Sequence, residues 1–185
     1  MKNIRFLLLF TTALFLGSCE SDDKLNRETG NYIKFSVAGS LMDGVYHIEE
    51  NEDDEFSQGI VTGIIVPNGN GESFMTLGFT DNSQKLSVSF TIPARTGLME
   101  LTDDIEMGMS ITNQNPNNMG DDYTILASKS VSLNITELET TNLGFLSTIK
   151  RAKGHFNGIM IYQDNVTGQE FSHTVTGDFL INKFF

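Results

Sequence analysis

From Tyr32 onward, apolar and polar residues alternate with a period of two rather than 3.6. Ile33, Phe35 and Val37 alternate with Tyr32, Lys34 and Ser36, and Leu86, Val88, Phe90 and Ile92 with Lys85, Ser87, Ser89 and Thr91. Ile105, Met107, Met109 and Ile111 alternate with Glu106, Gly108, Ser110 and Thr112, and Val131, Leu133 and Ile135 with Ser130, Ser132, Asn134 and Thr136. Each stretch describes a strand with one packed and one wet face, as in antiparallel sheet. Less regular strands are predicted over residues 45–49, 59–66, 73–80, 123–127, 154–162 and 170–181. Residues 60–66 are apolar on both sides, which predicts a central strand covered on both faces. Turn formers separate the strands: Asp43-Gly44, Pro67 to Gly71, Asp81-Asn82-Ser83 and Asp164 to Gly168. Residues 113–122, with Pro116 among four asparagines, form the longest loop. Residues 143–153 leave room for a turn or two of helix. The pattern predicts one all-β domain over residues 32–185, an antiparallel β-sandwich of nine or ten short strands with a squat β-barrel as the alternative.

The chain before Tyr32 follows other rules. Lys2 and Arg5 precede an apolar run over residues 6–16, broken only by Thr11 and Thr12. Its eleven or so residues fall short of the roughly 20 that span a bilayer. A basic start, a short apolar stretch and small residues make a secretory signal over residues 1–18. The small residues lead into the chain's one cysteine, and Leu16-Gly17-Ser18-Cys19 resembles the bacterial lipobox. The resemblance implies cleavage before Cys19 and lipidation of its thiol, with two or three palmitate-type acyl chains as the membrane anchor. Glu20-Ser21-Asp22-Asp23 resembles the acidic export signal of Bacteroidota surface lipoproteins, which implies display on the outer leaflet of the outer membrane. Residues 19–31 then form an acidic, flexible tether.

Charge narrows the partners. The 185 residues hold 12 basic and 24 acidic side chains, a net −12. Removing residues 1–18 takes Lys2 and Arg5 and no acid, leaving 10 against 24, or −14. Such a chain is a poor electrostatic partner for nucleic acid or an anionic membrane surface. A single cysteine excludes an internal disulfide and Cys-rich zinc modules. Residues 130–137, the run Lys153-Gly154-His155-Phe156-Asn157-Gly158 and residues 168–179 together are similar to the closing hairpin of a group of small Bacteroidota lipoproteins. That resemblance implies the β class and carries no catalytic motif.

Candidate chemistry is sparse. Pairing Tyr162 with Phe171 puts His173 on the apolar face opposite Met160 and His155 on the other face beside Asp178. A shared ion needs both nitrogens about 2 Å away, so this register separates them. No Gly-x-Ser-x-Gly elbow is present, and Gly69-Asn70-Gly71 joins two strands, unlike a dinucleotide loop. Six carboxylates occupy the seven positions from Glu49 to Glu55. Calcium takes six to eight oxygens, and Glu52, Asp53, Asp54, Asp103, Asp104, Asp121 and Asp122 are its candidate ligands. EF-hand spacing is missing, and charge runs are ordinarily solvated loops. Met107 and Met109 continue an apolar stripe, which makes them core fillers rather than copper ligands. Absence of tryptophan weakens a flat aromatic sugar platform. Lys150, Arg151 and Lys153 read as the rim of a loop. A porin-like C-terminal strand would set Lys183 on its lipid face, where charge is costly. The sequence therefore predicts a non-enzymatic binding or accessory module without a cofactor, contacting a protein or an extracellular ligand. The alternatives are an envelope structural protein and a hydrolase acting on glycans with Asp103, Asp104 and Glu106.

Overall fold

The computed structural model describes residues 30–50, 59–67, 72–102, 108–114, 123–143 and 146–183. They form ten antiparallel strands: β1 (Asn31–Ala38), β2 (Gly44–Glu50), β3 (Gly59–Pro67), β4 (Ser73–Asp81), β5 (Leu86–Pro93), β6 (Gly97–Leu101), β7 (Gly108–Gln114), β8 (Tyr123–Leu143), β9 (Leu146–Gln163) and β10 (Glu170–Asn182). Their order is β2-β1-β10-β9-β3-β4-β5-β7-β8-β6, and β8 also pairs with β9. The all-β expectation is met.

Two long strands turn this continuous sheet into two layers. Along one edge, β8 pairs with β7 up to Ala127 and with β6 from Val131. Along one edge, β9 pairs with β3 at Ser147 and Thr148 and with β10 from Arg151. Both therefore pass from one layer, β2-β1-β10-β9-β8-β6, into the other, β8-β7-β5-β4-β3-β9. The handover in β8 coincides with a register shift between Ser128 and Ser130, and shifts near Glu137 and Thr140 bend the other end. At the first, buried Ser128 accepts the Met109 N–H and donates to the Thr102 carbonyl, both at 3.1 Å, tying β7 and β6 to the bulge. Gly158 lies opposite with φ +152, where a Cβ would fall 2.1 Å from the Ser130 carbonyl oxygen.

The core lies between the layers. Phe79 and Phe90 from one layer meet Phe156 and Phe179 from the other, with ring centroids 5.4–5.8 Å apart across the contact. Gly154-His155-Phe156 and Gly177-Asp178-Phe179 stand on neighbouring strands in a register that sets each Phe opposite the other's Gly. A Cβ on Gly177 would lie 2.7 Å from the Phe156 ring, and one on Gly154 2.8 Å from the Phe179 ring. Each glycine thus makes the room its partner's ring fills.

Three expectations are corrected. Of the stretch 143–153, the described residues are strand and not helix: Leu143 ends β8 and Leu146–Lys153 belong to β9, with Ile149 and Ala152 buried in the core. Residues 123–127 and 130–136 are one strand joined through the bulge. β3 is central by pairing, yet Ile60, Ile64 and Val66 on its outer side are 46%, 54% and 53% exposed, since no described element covers that face.

Candidate functional site

The chain enters the fold at Gly30 and β1 carries it roughly 23 Å, seven steps at the strand rise, to a tip built from two turns. One turn joins β1 to β2 and the other joins β9 to β10; Ala38 pairs with Thr174, so both stand at the same end. Each presents apolar side chains to solvent: Leu41 is 43% exposed, Val45 at the start of β2 85% and Val166 95%.

Local chemistry holds both turns. His173, 1% exposed, lays its ring against Gly39, where a Cβ would meet ring Cδ2 at 2.1 Å. The Leu41 N–H donates to His173 Nε2 at 3.3 Å. A backbone N–H can only donate, so Nε2 accepts; the ring proton sits on Nδ1 and is donated to the Phe171 carbonyl 3.2 Å away. Tyr46 stacks on Phe35 at 5.2 Å and donates its hydroxyl to the Asp43 carbonyl at 3.1 Å. Burial, then the Asp43 carboxylate, pushes the Tyr46 phenol up. In the other turn, Asp164 Oδ1 accepts the N–H groups of Thr167 and Val166, each at 2.8 Å, and these bonds hold its carboxyl below the usual range. Gly168 takes the φ of +71 that closes the hairpin, donating its N–H to the Asp164 carbonyl at 2.8 Å.

The opposite end of the same layer is polar and interlocked. The Asn182 N–H donates to Asn31 Oδ1 at 2.7 Å, Asn31 Nδ2 donates to Glu50 at 2.8 Å, and Lys183 reaches Glu50 at 3.4 Å. Buried Arg151 pairs with Glu137 at 2.5 Å, and Lys150 lies 3.9 Å from Glu139. Along β9, Arg151 and Lys153 stand opposite Glu139 and Glu137 of β8, and the expected loop rim of Lys150, Arg151 and Lys153 is a strand. Among the described residues, buried Asn182 Nδ2 has no hydrogen-bond partner.

The sequence-derived candidates do not assemble into one site. The β9–β10 ladder pairs Tyr162 with Phe171, which leaves His155 exposed beside Asp178 and His173 buried opposite Met160. His47 is exposed, 3.4 Å from Glu49. Met99 and Met109 are core residues. Cys19, Glu20, Ser21 and Asp22-Asp23 lie outside the described residues, as do Glu52, Asp53, Asp54, Asp103, Asp104, Glu106, Asp121 and Asp122. Among the described residues no group of three or more His, Cys, Asp or Glu stands close enough to share a metal.

One surface escaped the sequence reading. The outer face of the β3-β4-β5-β7-β8 layer presents Thr62, Ile64 and Val66 from β3, then Phe74, Thr76, Gly78 and Thr80 from β4. It continues through Ser87, Ser89 and Thr91 of β5 to Ser110 and Thr112 of β7, and ends on Ala127 and Ile125 of β8. None carries a charge. Its hydroxyls bond one another, Ser89 with Ser110 at 2.6 Å and Ser87 to Thr80 at 3.2 Å. The other layer's outer face bears Lys34, Glu49, Glu100, Asp178 and the Lys129–Glu170 ion pair. The legible signal was the Ser and Thr run on the polar half of β5 and β7: Ser87, Ser89, Thr91, Ser110 and Thr112. Compared with protein-family models, curated proteins and solved structures, the chain matches none.

Proposed function

We propose that the chain is a lipid-anchored, surface-displayed lipoprotein of the outer membrane that works as a non-enzymatic binding or accessory module. Cys19 carries the acyl chains, the segment after it is the export signal and tether, and the β-domain presents its tip to a protein or another extracellular ligand. One observation carries this reading. Val166, Leu41 and Val45 are exposed apolar side chains on turns pinned by Asp164 and His173, at the far end of β1 from the tether's entry. Rigid apolar contacts bind with little ordering cost, which suits a recognition tip.

Fatty-acid labelling of whole cells, followed by protease shaving, tests the anchor. The chain should take up label and be shaved, and Cys19→Ala should lose label and leave the membrane fraction. Pull-down from intact cells tests the tip. Val166→Asp with Leu41→Asp should lose a partner that the parent chain retains. Recovery of the same envelope neighbours by both would instead favour a structural protein without a dedicated ligand.

A further inference from the structure

We infer that Lys183 and Asn31 join through their side chains: the lysine amine displaces ammonia from the asparagine carboxamide, Glu50 carries the protons, and an amide bond closes the last strand onto the first. The three residues meet where the sheet begins and ends. Asn31 opens β1 opposite Glu50 of β2. Lys183 directly follows β10, and its N–H donates to the Lys150 carbonyl at 2.9 Å, which fixes the root of its side chain.

The contacts match what the reaction needs. Glu50 Oε2 accepts Asn31 Nδ2 at 2.8 Å and lies 3.4 Å from Lys183 Nζ, so one oxygen touches both the leaving nitrogen and the nucleophile. Glu50 Oε1 is also 3.4 Å from Nζ, and the Val61 N–H donates to it at 3.5 Å. Because both groups touch one carboxylate, Nζ needs only a short move on its flexible, unbranched stem to the reactive approach of about 3–3.5 Å. Asn31 Oδ1 accepts the Asn182 N–H at 2.7 Å. A backbone donor there polarises the carbonyl and stabilises the negative charge that gathers on Oδ1 during attack. The same residue's buried Nδ2, with no hydrogen-bond partner among the described residues, leaves a second donor unused. Asn31 and Asn182 are buried and the Glu50 and Lys183 side chains largely so, which restricts competing attack by water.

The step balances without an oxidant or a cofactor. Glu50 takes one proton from the Lys183 ammonium. The free amine attacks Asn31 Cγ, forming the Nζ–Cγ bond and moving the carbonyl electrons onto Oδ1. Glu50 passes its proton to Nδ2 and takes the surplus one from Nζ. The Cγ–Nδ2 bond breaks as the carbonyl re-forms, and the released ammonia takes the last proton from Glu50 and departs as ammonium. The product holds residues 31–183 in one covalent loop. Its formation does not depend on acylation of Cys19.

Tryptic peptide mapping of the folded full chain by mass spectrometry tests this. Trypsin does not cut after an acylated lysine, so peptide 28–34 should be recovered joined to peptide 154–185, the pair one ammonia lighter than the two apart. Lys183→Arg keeps a positive charge beside Glu50 without a nucleophilic amine. It should fold with a parental circular-dichroism spectrum and give two separate peptides. Glu50→Gln keeps an oxygen for Asn31 Nδ2 but takes no proton, and should form the joined pair at least about a hundred-fold more slowly. Separate peptides at their full sequence masses in the folded parent chain would overturn the proposal. So would an ammonia loss confined to peptide 154–185, which marks cyclisation at Asn157-Gly158, or a Glu50→Gln chain joined at the parental rate. The parent measurement decides the matter even if a variant fails to fold.

Discussion

At the residue scale, Asp81 shows how a carboxylate near the core is kept charged. It ends β4, is 8% exposed, and accepts four hydrogen bonds in the tight turn to β5. Its Oδ1 takes the Ser83 N–H at 2.8 Å, the Ser83 hydroxyl at 2.6 Å and the Gln84 N–H at 3.1 Å, and its Oδ2 takes Gln84 Nε2 at 2.6 Å. Burial alone pushes its carboxyl up; the bonds from Ser83 and Gln84 outweigh it and hold the group below its ordinary value of 3.8. They also support Lys85 at φ +51, an unusual conformation for a side chain of its size. Asp81→Asn keeps Oδ1 but turns an amide donor toward Gln84 Nε2. It should cost about 1–3 kcal/mol by urea unfolding at neutral pH. A lowered folded-state value stabilises above the unfolded value and loses that contribution as pH falls through the folded one. The gap between parent and variant should therefore narrow in acid below about pH 4; a gap unchanged down to pH 2 would show that the charge contributes nothing.

At the element scale, β8 explains both what the alternating pattern revealed and what it concealed. Val131, Leu133 and Ile135 alternate cleanly and face the core, as do Ile33, Phe35 and Val37 in β1. Such half-buried strands were legible because each core contact falls on every second residue. The run Ser128-Lys129-Ser130 looked like a break because a bulge adds one residue, and a period-two reading cannot continue through it. β6 offers only Met99 and Leu101 as inward positions, too few to form a pattern. The neutral face was overlooked because Ser89 and Ser110 count as polar whether they meet water or another sheet. The bulge yields a sharp test. Deleting Lys129 would remove the extra residue and leave Ser128 opposite Met160 and Ser130 opposite Ile159, so Val131, Leu133 and Ile135 keep facing the core, whereas deleting Ser132, beyond the bulge, would slide the rest of β8 by one residue and turn Leu133 and Ile135 outward. The Ser132 deletion should abolish folding and the Lys129 deletion should not, while Lys129→Ala should cost no more than about 1 kcal/mol, the most an exposed pair such as Lys129–Glu170 ordinarily contributes. A Ser132-deletion variant with parental circular dichroism and melting temperature would mean that this ladder does not set the register.

At the scale of the whole molecule, distant parts of the chain are fastened with very unequal strength. The Asn182 N–H bonds Asn31, 151 positions away, and β10 is the strand that connects β1 and β2 to the rest of the sheet. Closing such long loops makes folding slow, on the millisecond-to-second scale. The second closure, where β9 meets β3, rests on two residue pairs, Ile64 with Thr148 and Ile65 with Ser147, backed by the Thr148 hydroxyl donating to the Gly63 carbonyl at 3.1 Å. The β8–β9 ladder, by contrast, runs from Ala127 opposite Ile161 to Leu143 opposite Leu146. Strands β3, β4, β5, β7, β8 and β9 thus form a closed circuit with one weak seam. Local opening should begin there, because the seam gives up few contacts and each of its strands keeps its other neighbour. Native-state hydrogen exchange should find the amides of Ile64, Ile65 and Thr148 at least about ten-fold less protected than those of Phe156 and Met160, a difference of about 1.4 kcal/mol. Equal protection would mean that the circuit opens as one cooperative unit. Graded protection, with the seam lowest, would mean that the two layers part at β3 while the phenylalanine core stays closed.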